Sequence, residues 1–349
     1  MNRIILFLFI FIIANLPHHL NAKIASVIGN PVNGEVYFEV NKDTQNYPAS
    51  LTKLMTLYIV FDKIKAKEIN LEDKIVFSRY ATQQQPSKLG IKEGDFILLK
   101  DAINALIVKS ANDVAVAVAE KISGNENNFI KLMNSYVNQM GLKNTHFANP
   151  HGLPNKSNLS SAYDIFILSS NLIKKHSEYL NLFAQKKIKI KGKTYTTHNK
   201  LMLSNSEYIG LKTGYIRKSG FQISLLSKID NQLLLGVYFG GNSAKERDNK
   251  IHFLMSKYSK KMGIENDENF KLIKGDYYVQ TSSFKKISQS KKFIININNR
   301  TNLLDNYEHN IIKSGKYFVT VINNLDKNSA RKLCSELKSK KLDCIVKVN

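Results

Sequence analysis

Three short motifs place serine, lysine and asparagine side chains at spacings that suit nucleophilic catalysis. In chain order they are Ser50-Leu-Thr-Lys53, Ser110-Ala-Asn112 and Lys212-Thr-Gly214. Each motif alone recurs often by chance, so the specificity lies in the three together in this order. A serine hydroxyl is a weak nucleophile until a neighbouring base takes its proton, and an uncharged lysine amine is such a base. The set therefore predicts a serine nucleophile activated by a lysine.

The first motif opens a segment with the pattern of a buried helix. Apolar side chains recur there with helical periodicity, at Leu51, Leu54, Met55, Tyr58, Ile59 and Phe61. Residues three apart share a helix face, so the Lys53 amine can reach the Ser50 hydroxyl. An exposed lysine is protonated at neutral pH, so we expect burial and a second cation, Lys212, to lower the pKa of Lys53. The helix N-terminus adds positive potential and N–H groups that can receive an oxyanion.

Each motif also has a purely structural alternative. Lys53 is also explained as an amphipathic lysine that reaches solvent, and Ser110 and Asn112 as caps of the helix that follows. The segment from Lys212 to Gly214 is also explained as a plain edge strand. A glycine there, however, leaves room for a substrate backbone that docks like an added strand.

The elements around the motifs predict a mixed α/β fold. Predicted strands lie near both ends of the region, at 24–28, 35–40, 210–214, 221–227 and 233–239. Predicted helices follow Ser50 and lie at 101–108, 112–122 and 244–262. Strands at both ends with helices between them predict a sheet shared by the N- and C-terminal strands.

Length and composition indicate a packed, basic chain of more than one domain. The 349 residues are 43% hydrophobic and carry a formal net charge of +23. This charge predicts an anionic partner: nucleic acid, an anionic membrane surface or an acidic wall polymer. Nucleotide bias in the genome is an alternative source of the many lysines.

The N-terminus predicts export. Arg3 precedes an apolar run at 4–14, and the polar stretch after it closes at Ala22. This is the pattern of a secretory signal peptide, 1–22, with an uncleaved anchor as the alternative. Export excludes nucleic acid as a partner and permits a disulfide. Cys334 and Cys344 then either form one clip between a helix and the next strand or stay unpaired.

The C-terminal part predicts a second, small domain. A polar, weakly periodic linker at 264–274 separates it from the first domain, 23–263. Residues 275–349 then read as strand, helix, two strands, helix and strand. Two strand-helix-strand units of similar length predict a ferredoxin-like α+β layer.

The motifs and their surroundings resemble the low-molecular-mass penicillin-binding proteins, specifically the D-alanyl-D-alanine carboxypeptidases. The resemblance covers roughly 23–262 and includes Tyr47-Pro-Ala-Ser-Leu-Thr-Lys-Leu-Met-Thr56, Asn149-Pro-His-Gly-Leu153, the segment 160–164 and His198-Asn-Lys-Leu201. It implies a penicillin-binding and β-lactamase-like transpeptidase domain, a mixed sheet with helices on both sides. It also implies hydrolysis of the terminal D-alanine from peptidoglycan stem peptides, and covalent inhibition by β-lactams.

The same resemblance implies a role for each residue of the motifs. Ser50 would attack the carbonyl between the two D-alanines, and Lys53 would take its proton. Ser110 would relay a proton to the departing amine, and Asn112 would hold the substrate amide and orient Lys53.

Substrate binding is implied for the third motif and two further residues. Lys212 and Thr213, followed by Gly214, would bind the terminal carboxylate, and the backbone N–H groups of Ser50 and Tyr215 would form the oxyanion hole. Arg247 would add positive charge, with an ordinary surface position as its alternative. No metal or other cofactor is required, and His151 has no partner at ligand spacing.

The C-terminal part resembles a SPOR domain. Tyr277-Tyr-Val-Gln-Thr-Ser-Ser-Phe284 opens its first half, and Tyr317-Phe-Val-Thr-Val321 echoes it in the second. The resemblance implies binding of glycan strands stripped of stem peptides, in the periplasm or cell envelope and at division septa. Between Lys274 and Asn349 there are fifteen Lys or Arg residues and six Asp or Glu residues. This positive charge suits binding of a wall polymer, and a solvated charged face without a ligand is the alternative.

Three other functions fit parts of the sequence. A DD-endopeptidase of the same family would use the same residues on cross-links. A class A β-lactamase would also need a carboxylate that activates water, and none is evident between Ser110 and Lys212. A septal wall-binding scaffold with an inactive enzyme domain would need only the C-terminal part.

Overall fold

The computed structural model describes residues 24–229, 232–261, 277–301, 304, 307, 309–325 and 327–348. The predicted signal peptide, 1–22, and the predicted linker, 264–274, lie outside the described residues. Within the described part of the chain, no helix is both long and apolar enough to cross a bilayer.

The N-terminal unit, 24–261, has nine strands and nine α-helices among its described residues. The strands are β1 (Ala25–Gly29), β2 (Val36–Val40), β3 (Lys74–Val76), β4 (Phe96–Leu98), β5 (Lys187–Ile190), β6 (Lys193–Thr196), β7 (Tyr208–Ile216), β8 (Gly220–Ile229) and β9 (Gln232–Gly241). The helices are α1 (Lys53–Lys65), α2 (Arg79–Thr82), α3 (Leu99–Asn104), α4 (Asn112–Ser123), α5 (Glu126–Gln139), α6 (Ala162–Lys175), α7 (Leu180–Phe183), α8 (Leu201–Ser204) and α9 (Ala244–Lys261).

The central sheet joins the two ends of this unit. Its five strands run in the order β2-β1-β9-β8-β7, and every neighbouring pair is antiparallel. The predicted strands at 24–28 and 35–40 pair as an antiparallel hairpin, with Ser26 opposite Val40. Since β1 also pairs with β9, the prediction that the first and last strands share one sheet is confirmed.

Helices cover both faces of this sheet, as the period of two along its strands requires. Val27 and Val237 belong to the core that includes α6, whereas their neighbours Ile28 and Tyr238 belong to the core that includes α9. All five residues of β1 are therefore buried. The predicted mixed fold with helices on both sides is confirmed.

Helix α1 lies inside a helical region on the α6 side of the sheet. Its first nine residues, from Lys53 to Phe61, are all buried, as the apolar periodicity predicted. The predicted start near Ser50 differs in detail, because Ala49–Thr52 forms a 3-10 turn and the α-helix begins at Lys53.

The C-terminal unit, 277–348, has its own sheet and core. It consists of β10 (Tyr277–Phe284), α10 (Ile287–Thr301), β11 (His309–Ser314), β12 (Tyr317–Leu325), α11 (Lys327–Ser339) and β13 (Ile345–Val348). The antiparallel sheet has the order β11-β12-β10-β13, which with the two crossover helices is the predicted ferredoxin-like arrangement. Cys334 and Cys344 form a disulfide that ties α11 to the start of β13, so the clip is the correct alternative.

Candidate active site

The turn before α1 holds Ser50 in a constrained backbone. Ala49, just before it, has φ +47°, a left-handed conformation that is rare for residues other than glycine. Gly152 presses on this turn from the opposite side, and a Cβ at Gly152 would lie 1.8 Å from the Ala49 carbonyl oxygen. Gly152 itself has φ +88°. The turn is thus fixed by a close approach that only glycine allows at position 152.

Lys53 brings its amine to the Ser50 hydroxyl in a fully buried position. Its Nζ lies 3.3 Å from Ser50 Oγ, 2.7 Å from Asn112 Oδ1 and 2.6 Å from the His151 carbonyl oxygen. The side chain is 0% exposed, so the alternative of a lysine that reaches solvent is wrong. The first two motifs therefore meet at one nitrogen atom.

The surroundings of Lys53 favour its uncharged form. Burial lowers its pKa well below the ordinary lysine value, and the nearby cation Lys212 lowers it further, against an opposing effect of Asp113. Burial and a second cation are the two causes expected from the sequence. An uncharged amine has two N–H donors and one lone pair. The two N–H groups suit the two carbonyl oxygens beside Lys53, and the lone pair suits the hydroxyl, which can donate to it.

An unusual helix end presents the second motif. Helix α3 continues as a π-helical turn, Ala105–Lys109, and Ser110 then has φ 60° and ψ 37° in the left-handed region. Ser110 Oγ is buried and has no hydrogen-bond partner among the described residues. Neither Ser110 nor Asn112 caps α4, whose N-cap is Ala111 with no side-chain bond. The capping alternative is therefore wrong.

Asp113 is a supporting residue that the sequence analysis missed. Its carboxylate accepts from the backbone N–H groups of Leu89, Gly90 and Val114, at 2.9 to 3.1 Å. Asn112 adds two bonds to the same segment, from its Nδ2 to the Gln85 carbonyl and from its N–H to that of Ser87. These bonds fix the loop at 85–90, and the only signal in the sequence was an acidic residue directly after the motif.

The third motif lies on β7, against the turn that carries Ser50. A Cβ at Gly214 would come within 3.2 Å of the Pro48 carbonyl oxygen and 3.3 Å of Ser50 N. A side chain at this position would therefore be tighter than most against the turn, a close packing of β7 that the sequence did not reveal. Lys212, two residues earlier, is 4% exposed, and burial followed by the charge of Arg247 lowers its pKa to about 7.

Arg247 and Tyr215 lie at the same opening with different exposure. Arg247 is 2% exposed, so the alternative of an ordinary surface residue is wrong. Its Nε and Nη2 donate to Asp248 Oδ1 at 2.9 and 2.6 Å, and its Nη1 donates to the Gln222 carbonyl. Tyr215 is 54% exposed, and its ring packs on Phe221 with centroids 4.2 Å apart.

These residues surround one cavity of about 290 Å³. Of the nine predicted site residues, seven line it: Ser50, Ser110, Asn112, Thr213, Gly214, Tyr215 and Arg247. Lys53 lies behind Ser50, and Lys212 lines a small adjoining pocket together with Thr213. The structure thus brings all nine together.

Two histidines also line the cavity. The pKa of His151 is lowered to about 3, mainly by burial and further by the charge of Lys53. The pKa of His198 is lowered to about 4, mainly by burial and further by the charge of Lys212. His151 Nδ1 accepts from the Leu153 N–H, and its Nε2 lies 3.6 Å from Glu126 Oε1. No group of three or more His, Cys, Asp or Glu side chains among the described residues is placed to hold a metal.

The cavity is suited to acyl transfer from an anionic substrate to a serine. Its nucleophile has an amine base, and its charged side chains are cationic, because Lys212 and Arg247 border it while no Asp or Glu among the described residues lines it. Fold and site together match the class of penicillin-binding proteins. The chain belongs to the D-alanyl-D-alanine carboxypeptidase family, peptidase family S11, which matches residues 13–243.

Individual relatives agree with this family. The D-alanyl-D-alanine carboxypeptidase DacD of Salmonella typhimurium is 36% identical over 239 residues, which are 66% of this chain and 61% of the relative. The structure of penicillin binding protein 6B from Escherichia coli aligns with a TM-score of 0.65 at 31% identity, over 71% of this chain and 80% of that one. Penicillin-binding protein D2 from Listeria monocytogenes, in its cefotaxime-bound form, aligns with a TM-score of 0.61 at 27% identity, over 67% and 95%. The chain spans about three fifths of the length of the curated relatives.

Proposed function

We propose that this protein is a serine D-alanyl-D-alanine carboxypeptidase that removes the terminal D-alanine from peptidoglycan stem peptides. The observation that carries the proposal is the buried Lys53 amine beside Ser50. Two N–H groups of the uncharged amine donate to Asn112 Oδ1 and to the His151 carbonyl, so its lone pair faces the Ser50 hydroxyl at 3.3 Å. That hydroxyl then donates to the amine and is ready for deprotonation.

The acylation step follows from this arrangement. Ser50 Oγ bonds to the carbonyl carbon between the two D-alanines while its proton passes to Lys53. The backbone N–H groups of Ser50 and Tyr215 receive the oxyanion. Collapse of the intermediate breaks the C–N bond, and Ser110, whose Oγ has no other partner among the described residues, relays a proton to the departing amine.

Deacylation reverses the roles with water as the nucleophile. Water adds to the ester carbon as Lys53 takes one of its protons, and collapse returns the proton to Ser50 Oγ and frees the shortened peptide. A β-lactamase of class A uses a carboxylate to activate this water. No Asp or Glu within the described part of the chain lines the cavity, which favours a slow deacylation of β-lactams.

The cationic end of the cavity supports recognition of a C-terminal carboxylate. Lys212 and Arg247 supply the charge and Thr213 a hydroxyl, all next to the strand β7. A stem peptide that runs beside β7 would place its last carboxylate there and its penultimate carbonyl at Ser50. β-Lactams carry a matching carboxylate, and the Listeria relative was solved with cefotaxime bound.

For the C-terminal unit we propose the binding of glycan strands stripped of stem peptides, as in a SPOR domain, which would direct the enzyme to division septa in the cell envelope. The two echoing motifs occupy β10 and β12, which pair as the middle strands of the sheet. The excess of Lys and Arg in this part of the chain also suits an acidic wall polymer.

A fluorescent penicillin followed by mass spectrometry tests the enzyme proposal. We expect one adduct on the peptide that contains Ser50, and none in Ser50→Ala. The purified protein should then release D-alanine from a pentapeptide muropeptide. Conversion of cross-linked dimers to monomers without D-alanine release would instead establish the endopeptidase, and absence of any adduct would leave a wall-binding scaffold.

A further inference from the structure

The C-terminal unit contacts helix α9 of the N-terminal unit through buried polar groups. Lys250 of α9 is 5% exposed, and its Nζ lies 3.7 Å from the centroid of the Tyr307 ring. Asn242, at the end of β9, has its Nδ2 3.5 Å from Ser329 Oγ of α11. Tyr307 and Ser329 are themselves buried, at 8% and 2% exposure.

The ring of Tyr307 compensates a buried cation. Lys250 Nζ is buried, and its ion-pair partner Glu246 Oε1 is 3.4 Å away. Burial acts to lower the pKa of Lys250, but Tyr238, Tyr307 and Glu246 more than offset it, so the pKa is raised and the amine stays charged. A desolvated cation needs a partner, and the face of an aromatic ring is one.

The same cluster ties down the start of α9. Glu246 Oε2 accepts from both the backbone N–H and the Nδ2 of Asn242, each at 2.8 Å. Contacts therefore run without a break from Ser329 through Asn242, Glu246 and Lys250 to Tyr307. Ala244 and Arg247, in the same turn of helix, line the active-site cavity on their other side.

We propose that docking of the C-terminal unit on α9 holds Arg247 in the cavity, with Tyr307 and Lys250 as positioning residues for substrate binding. The C-terminal unit then has a second role besides any ligand of its own, because it completes the carboxylate-binding end of the active site. The kinetic part of this inference rests on the proposed carboxypeptidase function, whereas the docking part does not.

Hydrogen exchange in the full-length protein tests the docking. We expect Tyr307→Leu, which keeps an apolar side chain but removes the ring, to increase the exchange of amides in the peptide 242–250 at least about tenfold. Tyr307→Phe keeps the ring and should exchange like the wild type. Unchanged exchange in β12 would show that the C-terminal unit of each variant is folded. If Tyr307→Leu leaves 242–250 protected, the docking is refuted.

A double-mutant cycle tests the cation. Lys250→Met removes the charge but keeps a side chain of similar length. Glu246 keeps its two hydrogen bonds from Asn242, so we expect the docked state to persist. Tyr307→Leu in this background should change the exchange by less than about twofold, since no buried cation is left to expose. Equal effects of Tyr307→Leu in both backgrounds would refute the role of Lys250.

Kinetics with a soluble D-alanyl-D-alanine peptide tests the positioning. Tyr307→Leu should reduce kcat/KM about tenfold, equal to about 1.4 kcal/mol, mainly through KM, and Tyr307→Phe should restore it. Increased exchange with an unchanged kcat/KM would refute the positioning role. If the wild type shows no D-alanine release at all, the proposed function fails, and the exchange data alone still decide the docking.

Discussion

Replacing Asn112 by aspartate tests whether Lys53 is uncharged, because it changes only the side-chain amide into a carboxylate. The new carboxylate would lie where Asn112 Oδ1 is now, 2.7 Å from Lys53 Nζ. At an effective dielectric constant of about 20, an ion pair at that distance gains about 6 kcal/mol, which is the upper limit of the stabilisation of the protonated lysine. If the raised pKa of Lys53 comes to lie about two pH units above the ambient pH, only about one amine in a hundred is uncharged.

We therefore expect Asn112→Asp to slow acylation by a fluorescent penicillin at least about a hundredfold at neutral pH. The sign of the pH dependence follows from the cause. Because the pKa of Lys53 is raised, the loss should be greatest at low pH and should shrink as the pH increases from about 7 to about 10. Stopped-flow fluorescence across this range measures the rate.

Asn112→Ala is the matched control, because it also loses the bond from Asn112 Nδ2 to the Gln85 carbonyl but adds no charge. Its defect should not recover at high pH. Thermal unfolding checks that both variants are folded. If Asn112→Asp acylates within about threefold of the wild type at neutral pH, Lys53 does not act as an uncharged base, and the reasoning for this site is wrong.

Three further predictions follow from the structure. The pKa of Lys212 is about 7, so its charge is lost as the pH increases through that value. The KM of a carboxylate-bearing peptide should therefore rise from about pH 6 to about pH 8. An unchanged KM would exclude Lys212 from carboxylate binding. Gly152→Ala would place a Cβ 1.8 Å from the Ala49 carbonyl oxygen. It should lower the free energy of unfolding in urea by about 1–3 kcal/mol and nearly abolish penicillin acylation. Gly192→Ala is the control, because Gly192 has open space around it. Cys334→Ser removes the disulfide and should destabilise the C-terminal unit by about 3 kcal/mol. The backbone amides of α11 should then exchange at a lower denaturant concentration than in the wild type. Acylation of Ser50 by penicillin in native buffer should stay unchanged.

The parts of the site that the sequence predicts are those set by local patterns. The spacing from Ser50 to Lys53, the apolar periodicity of α1 and the hairpin of β1 and β2 each depend on residues close together in the chain. Burial of Lys53 was expected for a chemical reason, because an exposed lysine is protonated at neutral pH and cannot act as the base. The meeting of the three motifs was expected from the resemblance, not from any local pattern.

The parts that the sequence does not predict depend on contacts between distant residues. Gly152 presses on Ala49 across about a hundred residues of chain, and Gly214 packs closely against Pro48, also distant in sequence. Nothing local shows that Arg247 is buried, because the carbonyl that accepts from its Nη1 belongs to Gln222 on another strand. The left-handed backbone conformation of Ser110 comes directly after a π-helical turn, which the apolar periodicity of the sequence does not predict.

The position of β1 inside the central sheet, between β2 and β9, has a consequence for biogenesis. Val27 pairs with Val237, so the strand made first by the ribosome waits for one made more than two hundred residues later. Such a high contact order slows folding. A nascent chain that ends before Gly241 lacks the complete neighbour of β1, so one edge of this apolar strand stays unpaired until synthesis has passed that point.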